Sequence, residues 1–404
     1  MPSCDVLIIG GGPAGLRAAQ LTSAAGFATF LAERMPSVGR KFLVAGRGGL
    51  NLTHSEPLEN FPARYGAETA RWQRLLADFS PADLRAWAAD LGVETFVGTS
   101  GRVFPATKQS APLLRLWVAR LRKQGVTFRL NHKLKDFRPS TAKGYEVDFS
   151  TPNGPVTLSA CALILALGGA SWPQTGSDGA WTRLLAAHAI SITPLAPANC
   201  GWEVAWPKSF LAETEGLPLK NIVVRAGNET VPGELLVTRY GLEGGAIYQL
   251  VRVLRVQSKP QILLDLKPSF SVEALLAKIP SKQAPGLTAA ARAWRLSPAA
   301  RSLLQLHAPF SSWEQIAQRV KALPVDLLGP RPIAEAISTA GGIRWDELDD
   351  NLMLRRWPGL ACAGEMIDWE APTGGYLLQG CFATATRAAR GVVNFLQKTS
   401  INTA

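Results

Sequence analysis

The chain has 404 residues, 47% of them hydrophobic and 18% charged, with a formal net charge of +12. Its length calls for two or three domains. It contains no apolar run of roughly 18 residues that would span a membrane, and Met1-Pro2-Ser3-Cys4-Asp5 lacks the basic start of a secretory signal. The five cysteines, Cys4, Cys161, Cys200, Cys362 and Cys381, are odd in number and form no CxxC pair. They suggest neither a disulfide framework nor a zinc site, and a reducing cytoplasm fits them best.

In chain order, residues 5–9 are a short apolar run ending in glycines, the pattern of a buried parallel strand. Residues 14–25 are rich in Ala and Leu and stop beside Gly26, which predicts a helix. Residues 28–32 predict a second strand, completing a βαβ opening. Residues 69–91 read as helical, with Trp72, Leu75, Leu76, Phe79, Leu84 and Trp87 as core positions. Residues 112–123 predict another helix and 126–130 a strand. Residues 145–149 and 156–158 alternate as antiparallel strands around Asn153-Gly154, and 162–166 read as a buried strand.

From about residue 191 the character changes. Pro194, Pro197, Pro207, Pro218 and Pro232 punctuate short β-like runs. Residues 271–323 read as helical, with a capping box from Ser311 to Glu314. Strand character returns at Ile333, and a long helix runs from about 374 to 397. The expected organisation is a nucleotide-binding domain (1–190 and 336–404), an inserted β domain (191–270 and 324–335) and a helical subdomain (271–323).

Gly10-Gly11-Gly12-Pro13-Ala14-Gly15 matches GxGxxG in the setting that gives the motif meaning. It follows a strand, opens a helix, and meets Glu33, eighteen residues past Gly15, at the end of the next strand. Gly10 permits the tight turn, Gly12 lets backbone approach a pyrophosphate, and Gly15 lets helix and strand pack closely. The helix N-terminus supplies free N–H groups for phosphate, and Glu33 accepts from a ribose. Three further segments favour FAD over NAD: the cations of Gly39-Arg40-Lys41, the glycine-ended strand 165–169, and the strand 360–365 ending in Gly364-Glu365. The last is followed by Asp368 and by Thr373-Gly374-Gly375-Tyr376 at a helix start, where the dipole would stabilise charge on a reduced flavin. Gly46-Arg47-Gly48-Gly49 lacks the third glycine of a second fingerprint, so a nicotinamide donor would dock directly over the flavin. The expected cofactor-binding set is Gly10, Gly12, Pro13, Ala14, Gly15, Glu33, Arg34, Arg40, Lys41, Asn51, Leu134, Ala166, Gly168, Gly364, Glu365, Asp368, Gly374, Gly375 and Tyr376.

Several stretches resemble a bacterial flavoprotein family that includes aminoacetone oxidases, a bile-acid-metabolism flavoprotein and a dihydrouridine synthase of large-subunit ribosomal RNA. They are residues 39–53 (GRKFLVAGRGGLNLT), 101–105 (GRVFP), 168–176 (GGASWPQTG), 233–246 (GELLVTRYGLEGGA), 339–342 (TAGG) and 363–379. The resemblance implies a glutathione-reductase-like Rossmann FAD domain of the α/β class, a β-barrel-like insertion and a small helical subdomain. The chain departs from the family where the flavin face is expected. A run of Gly-Gly-Arg-Cys-Asn in relatives is Gly48-Gly49-Leu50-Asn51 here, preceded by Arg47. A His is Arg239, a Ser-Gly-Pro is Glu243-Gly244-Gly245, and an Asn after Tyr376 is Leu377.

These readings converge on an FAD-dependent oxidoreductase in which NAD(P)H reduces an unsaturated acceptor through the flavin. Uridine in large-subunit rRNA is one candidate acceptor. Two alternatives stay open: a flavin oxidase of a small amine or carbonyl compound using O2, and an RNA-binding flavoprotein with mainly structural FAD. Arg102, Arg239, Tyr240 and Tyr376 are the candidate catalytic residues. Tyr376, Thr53 or a water is the candidate proton donor, because Leu50 replaces the relatives' cysteine. Residues 102–138 hold ten Lys or Arg and one acid, Asp136. That excess fits an anionic partner or a solvated face. The histidines His54, His132, His188 and His307 show no metal spacing, and Cys381 reads as an inert buried thiol.

Overall fold

The computed structural model describes residues 2–46, 48–141, 144–280 and 284–401; Arg47 lies outside them. The chain divides into two compact units, Met1–Ala196 with Ser338–Ala404, and Pro197–Ile337.

The first unit is built on Ser3–Ile9, whose Val6, Leu7 and Ile8 are fully buried. It pairs in parallel with Thr29–Ala32 on one side and Gly154–Leu165 on the other. Thr127–Arg129 extends the first side and Leu360–Cys362 the second, also in parallel. The apolar runs match strands covered on both faces. The Pro13–Ala24 helix links the first two strands, and the long C-terminal helix Tyr376–Ile401 packs against it. The stretches 156–158 and 162–166, expected as two strands, are one. Ser159, Ala160 and Cys161 between them include no Gly or Pro to break the strand, so Gly154–Leu165 runs unbroken from the antiparallel hairpin with Tyr145–Thr151 into the parallel sheet.

Residues 69–91 form two helices rather than one, Thr69–Asp78 and Pro81–Asp90. The break is a capping box: Ser80 Oγ accepts from the Asp83 N–H, and the Asp83 carboxylate accepts from the Ser80 N–H. Pro81 then takes the first helical position, where its missing N–H costs nothing. All six expected core residues are nonetheless buried. A small antiparallel sheet is made from Thr53–His54, before these helices, and Thr95–Val97 and Arg102–Pro105, after them.

The second unit carries a seven-stranded sheet in the order Leu323–Asp326, Gln261–Asp265, Pro218–Ala226, Glu229–Thr238, Gly241–Glu243, Trp202–Glu203 and Gly329–Pro330. The two end strands are successive pieces of one segment. Between them, Leu327 N–H donates to Pro260 O on one edge and Leu328 N–H to Glu203 O on the other. This segment therefore joins the two edges and curls the sheet into a barrel-like form. The helices between residues 272 and 321 share one hydrophobic core with that sheet, through Leu275, Trp294, Leu303 and Ile316 among others. The last of these helices is capped by Ser312, one residue later than expected, because Ser312 is the final extended residue and its Oγ accepts from Gln315 N–H. Ile333–Glu335 is a 3-10 turn set up by Pro332, and strand structure resumes only at Ser338–Ile343. Among the described residues no helix is long and apolar enough to cross a membrane.

Candidate active site

The glycine loop sits where the Ser3–Ile9 strand hands over to the Pro13–Ala24 helix. Gly10 has φ +114°, and a Cβ there would lie 2.1 Å from Ala166 O. A Cβ on Gly15 would lie 1.8 Å from Gly10 O, so this glycine sets the helix–strand approach. Gly12 differs from both, because a Cβ there would meet nothing within 4 Å. No side chain caps the helix at Gly12, and Pro13 opens it, so first-turn N–H groups are left for a ligand. Glu33 accepts from Gly11 N–H at 2.7 Å and Met35 N–H at 2.8 Å. Burial raises its carboxyl above the ordinary range, against the pull of those two bonds.

Around this loop lies a cleft of about 310 Å³. Of the expected set, Gly10, Gly12, Pro13, Ala14, Glu33, Arg34, Arg40, Lys41, Leu134, Ala166, Gly168, Gly364 and Glu365 line it. Gly15 lies beneath it. Asn51, Asp368, Gly374, Gly375 and Tyr376 are not on its wall, and the Asp368 carboxylate accepts from Thr193 Oγ at 2.6 Å. Arg34 reaches Asp178 at 2.5 Å, and Lys41 reaches Glu365 at 2.9 Å and Ser171 Oγ at 2.5 Å. Glu365 also accepts from Thr339 N–H at 2.9 Å. Sequence reasoning did not assign Gly176, Ser177, Asp178, His132, Lys133, Lys135 or Trp181 to the cofactor, and all of them line the cleft. Asp178 could have been found as the acid just past the glycine-rich 168–176 stretch.

A second group of side chains lies at the start of the C-terminal helix. Tyr376 donates its hydroxyl to Glu56 Oε1 at 2.6 Å, and Arg64 grips the same carboxylate with bonds of 3.0 and 2.6 Å. The His54 ring stacks on Tyr376 with centroids 5.4 Å apart, and Phe61 flanks it at 5.1 Å. Burial and the Glu56 carboxylate push the Tyr376 phenol well above its ordinary range. Arg102 lies beside Gly374, its Nε 3.6 Å from where a Cβ there would stand. Thr53 is fully buried and donates to Gln379 Oε1 at 2.9 Å, and Leu50 is buried in the core. Cys381, farther along the same helix, does reach the cleft wall, and burial pushes its thiol up to about 12.

Arg239 and Tyr240 belong to the second unit. Arg239 is exposed at the turn after Glu229–Thr238, and Tyr240 bonds to Glu243 with Arg331 4.3 Å over its ring. His188 pairs with Asp136, and among the described residues no group of three or more metal-ligating side chains gathers.

A family profile described as the HI0933-like protein Rossmann domain matches residues 4–391. The chain belongs to this family. It is 26% identical to the 3-dehydro-bile acid delta(4,6)-reductase of Clostridium scindens, over 95% of this chain and 97% of that protein. It is 25% identical to the ribosomal RNA dihydrouridine synthase of Escherichia coli, over 97% and 99% respectively. The solved 3-ketosteroid-delta4-(5alpha)-dehydrogenase of Rhodococcus jostii shares the fold, with a TM-score of 0.53 and 14% identity over 98% of this chain and 97% of that one. The protein is an FAD-dependent oxidoreductase with a Rossmann-type FAD-binding domain.

FAD fits the residues present. The space beside Gly12 is what a pyrophosphate needs for close backbone approach. Arg40 Nε, on the cleft wall, is buried without a partner among the described residues, a donor waiting for an anionic acceptor.

Proposed function

We propose that the protein uses NAD(P)H to reduce a conjugated carbon–carbon double bond, with uridine in large-subunit ribosomal RNA as the acceptor that the basic 102–138 segment favours. When bound, FAD supplies the two-electron carrier between donor and acceptor. The glycine loop, the helix N-terminus and Arg40 hold the dinucleotide, and Glu33 holds a ribose hydroxyl. Saturating a double bond also takes one proton, and this chain must deliver it.

The observation that carries the reading is Tyr376. Its phenol stays protonated across the physiological range and is held in place by Glu56 and Arg64. Thr53 is fully buried and bonded to Gln379, Leu50 has no proton to give, and the Tyr376 hydroxyl hydrogen, held by Glu56 at 2.6 Å, would leave that bond as it is delivered. Tyr376 begins the helix whose Cys381 lines the cleft, about 7.5 Å farther along the axis. Two relatives, matched end to end, are named for adding hydrogen to unsaturated rings, which supports the same class of reaction.

The test is rapid-mixing reduction of the purified yellow protein by NADH and NADPH without oxygen, followed by mixing with unsaturated acceptors, uridine-containing RNA among them. Flavin bleached by nicotinamide and recoloured by an unsaturated acceptor is the expected result. Reduction only by an amine, with peroxide released in air, would replace this reading with an oxidase.

A further inference from the structure

The small three-stranded sheet of the first unit has two unlike faces, and strand parity assigns every residue to one of them. Thr53 and Val103 stand opposite each other and are fully buried, so that face packs on the core. The other face carries His54 opposite Arg102, and Phe104 opposite Phe96. These four side chains are exposed or half-buried.

They form a row. Phe96 and Phe104 stack with centroids 5.6 Å apart, and the Lys108 ammonium lies 5.7 Å from the Phe96 ring centre. Arg102 follows Phe104 on the same face, then His54, then Tyr376 stacked on His54. The His54 ring is fixed by both nitrogens. Its Nδ1 accepts from Glu56 N–H at 3.1 Å, so the proton sits on Nε2, which donates to Ser100 O at 3.1 Å. His54 thus offers a ring face rather than a free acid or base. Arg102 and Lys108 form no ion pair among the described residues, while the nearby Glu56 carboxylate is used by Arg64 and Tyr376.

We infer that this face is a binding track for single-stranded RNA, which leads a strand toward buried Tyr376, packed beneath His54. Exposed outer edges and faces of such stacked rings on a sheet can take bases of any identity, and the cations beside them, Arg102 and Lys108, can meet the phosphates that join those bases. The charge beyond the row has the same sign. Exposed Arg115, Arg122 and Lys123 form no ion pair among the described residues. The inference rests on the reading of the acceptor as a base in RNA, and adds which surface holds the strand around that base.

The experiment is fluorescence anisotropy of a short labelled oligouridine against the oxidised, FAD-loaded protein, with an RNA duplex of equal length as comparison. Binding is read without turnover, so it can fail or succeed independently of nicotinamide-driven reduction. The wild type is expected to prefer the single strand. Phe96→Ala and Phe104→Ala are each expected to weaken it roughly five- to hundredfold. Lys108→Gln and Arg102→Gln are each expected to reduce the log–log salt slope by about 0.7 between about 50 and 200 mM salt. Retained flavin absorbance shows that the variants are folded, and the charge variants decide the matter if a ring variant is not. Equal affinity for duplex, or unchanged oligouridine binding in both ring and charge variants, overturns the inference. Weakened NADPH binding with oligouridine binding intact would assign the face to the electron donor and overturn it equally.

Discussion

Gly11 donates its amide hydrogen to Glu33 Oε2 at 2.7 Å, which ties the glycine loop to the end of the second strand within the protein itself. The cradle is therefore organised by the protein's own contact between a loop N–H and the Glu33 side chain. This separates two kinds of glycine in one motif, those the fold needs and the one the ligand needs.

Gly12→Val and Gly15→Val are expected to fail in different ways. A Cβ at 12 meets no protein atom within 4 Å, so the chain is expected to fold while the valine side chain fills the ligand's space, giving folded, colourless protein. Valine at 15 drives into Gly10 O and destabilises the unit by on the order of 3 kcal/mol or more. Flavin absorbance per mole of protein and thermal melts of the flavin-free forms distinguish the two. Colourless Gly12→Val protein that melts as low as Gly15→Val would refute the distinction.

Arg40→Ala should weaken FAD by roughly tenfold or more, since a charge-assisted bond is worth about 1.5–3 kcal/mol. It should leave apoprotein stability nearly unchanged, because Arg40 Nε has no partner and its Nη1 makes only a long, exposed bond of 3.3 Å to Ser37 Oγ. Lys41→Met should do the reverse and lower apoprotein stability, since Glu365 would keep only its backbone donors. Flavin titration and urea melts of both variants check this crossed pattern.

Tyr376→Phe keeps the ring between His54 and Phe61 and removes only the hydroxyl. The expected result is normal FAD content with reoxidation by the true acceptor slowed about 10²- to 10⁴-fold, the usual range for a lost proton donor. A pH-independent rate equal to wild type would assign the proton to water.

Glu56→Gln probes the same group through stability. Burial opposes ionisation of Glu56, but hydrogen bonds from Arg64 and Tyr376 outweigh it and hold the carboxyl below its ordinary range. A depressed carboxyl adds stability above its unfolded pKa and loses it as pH falls through the folded one. The variant should therefore be less stable by about 1.5–3 kcal/mol at pH 7. The gap should begin to close below about pH 4.5, as urea melts across that interval will show.

The sequence disclosed what is local. The glycine loop, Glu33 and the Arg40-Lys41 pair lie within one βαβ stretch, so their spacing alone predicts that they share a wall. The Ser80–Asp83 capping box was also legible, yet the apolar periodicity of Trp72 to Trp87 ran through it and masked the break. The Tyr376–Glu56–Arg64 group could not be read in this way. Its members come from opposite ends of the unit, and only the packing of the C-terminal helix on the 53–65 segment brings them together. Arg102 and Arg239 looked equivalent as motif arginines, but they fall in different compact units.

The segment that joins both edges of the inserted sheet has a consequence for survival in a crowded cell. An unpaired sheet edge recruits strands from neighbouring molecules. Here the two end strands are halves of a single passage, so little free edge is offered. The same economy creates a point of failure at Leu328, 66% exposed in the middle of that passage. One protease cut there would release two edges at once and offer both to strands of neighbouring molecules.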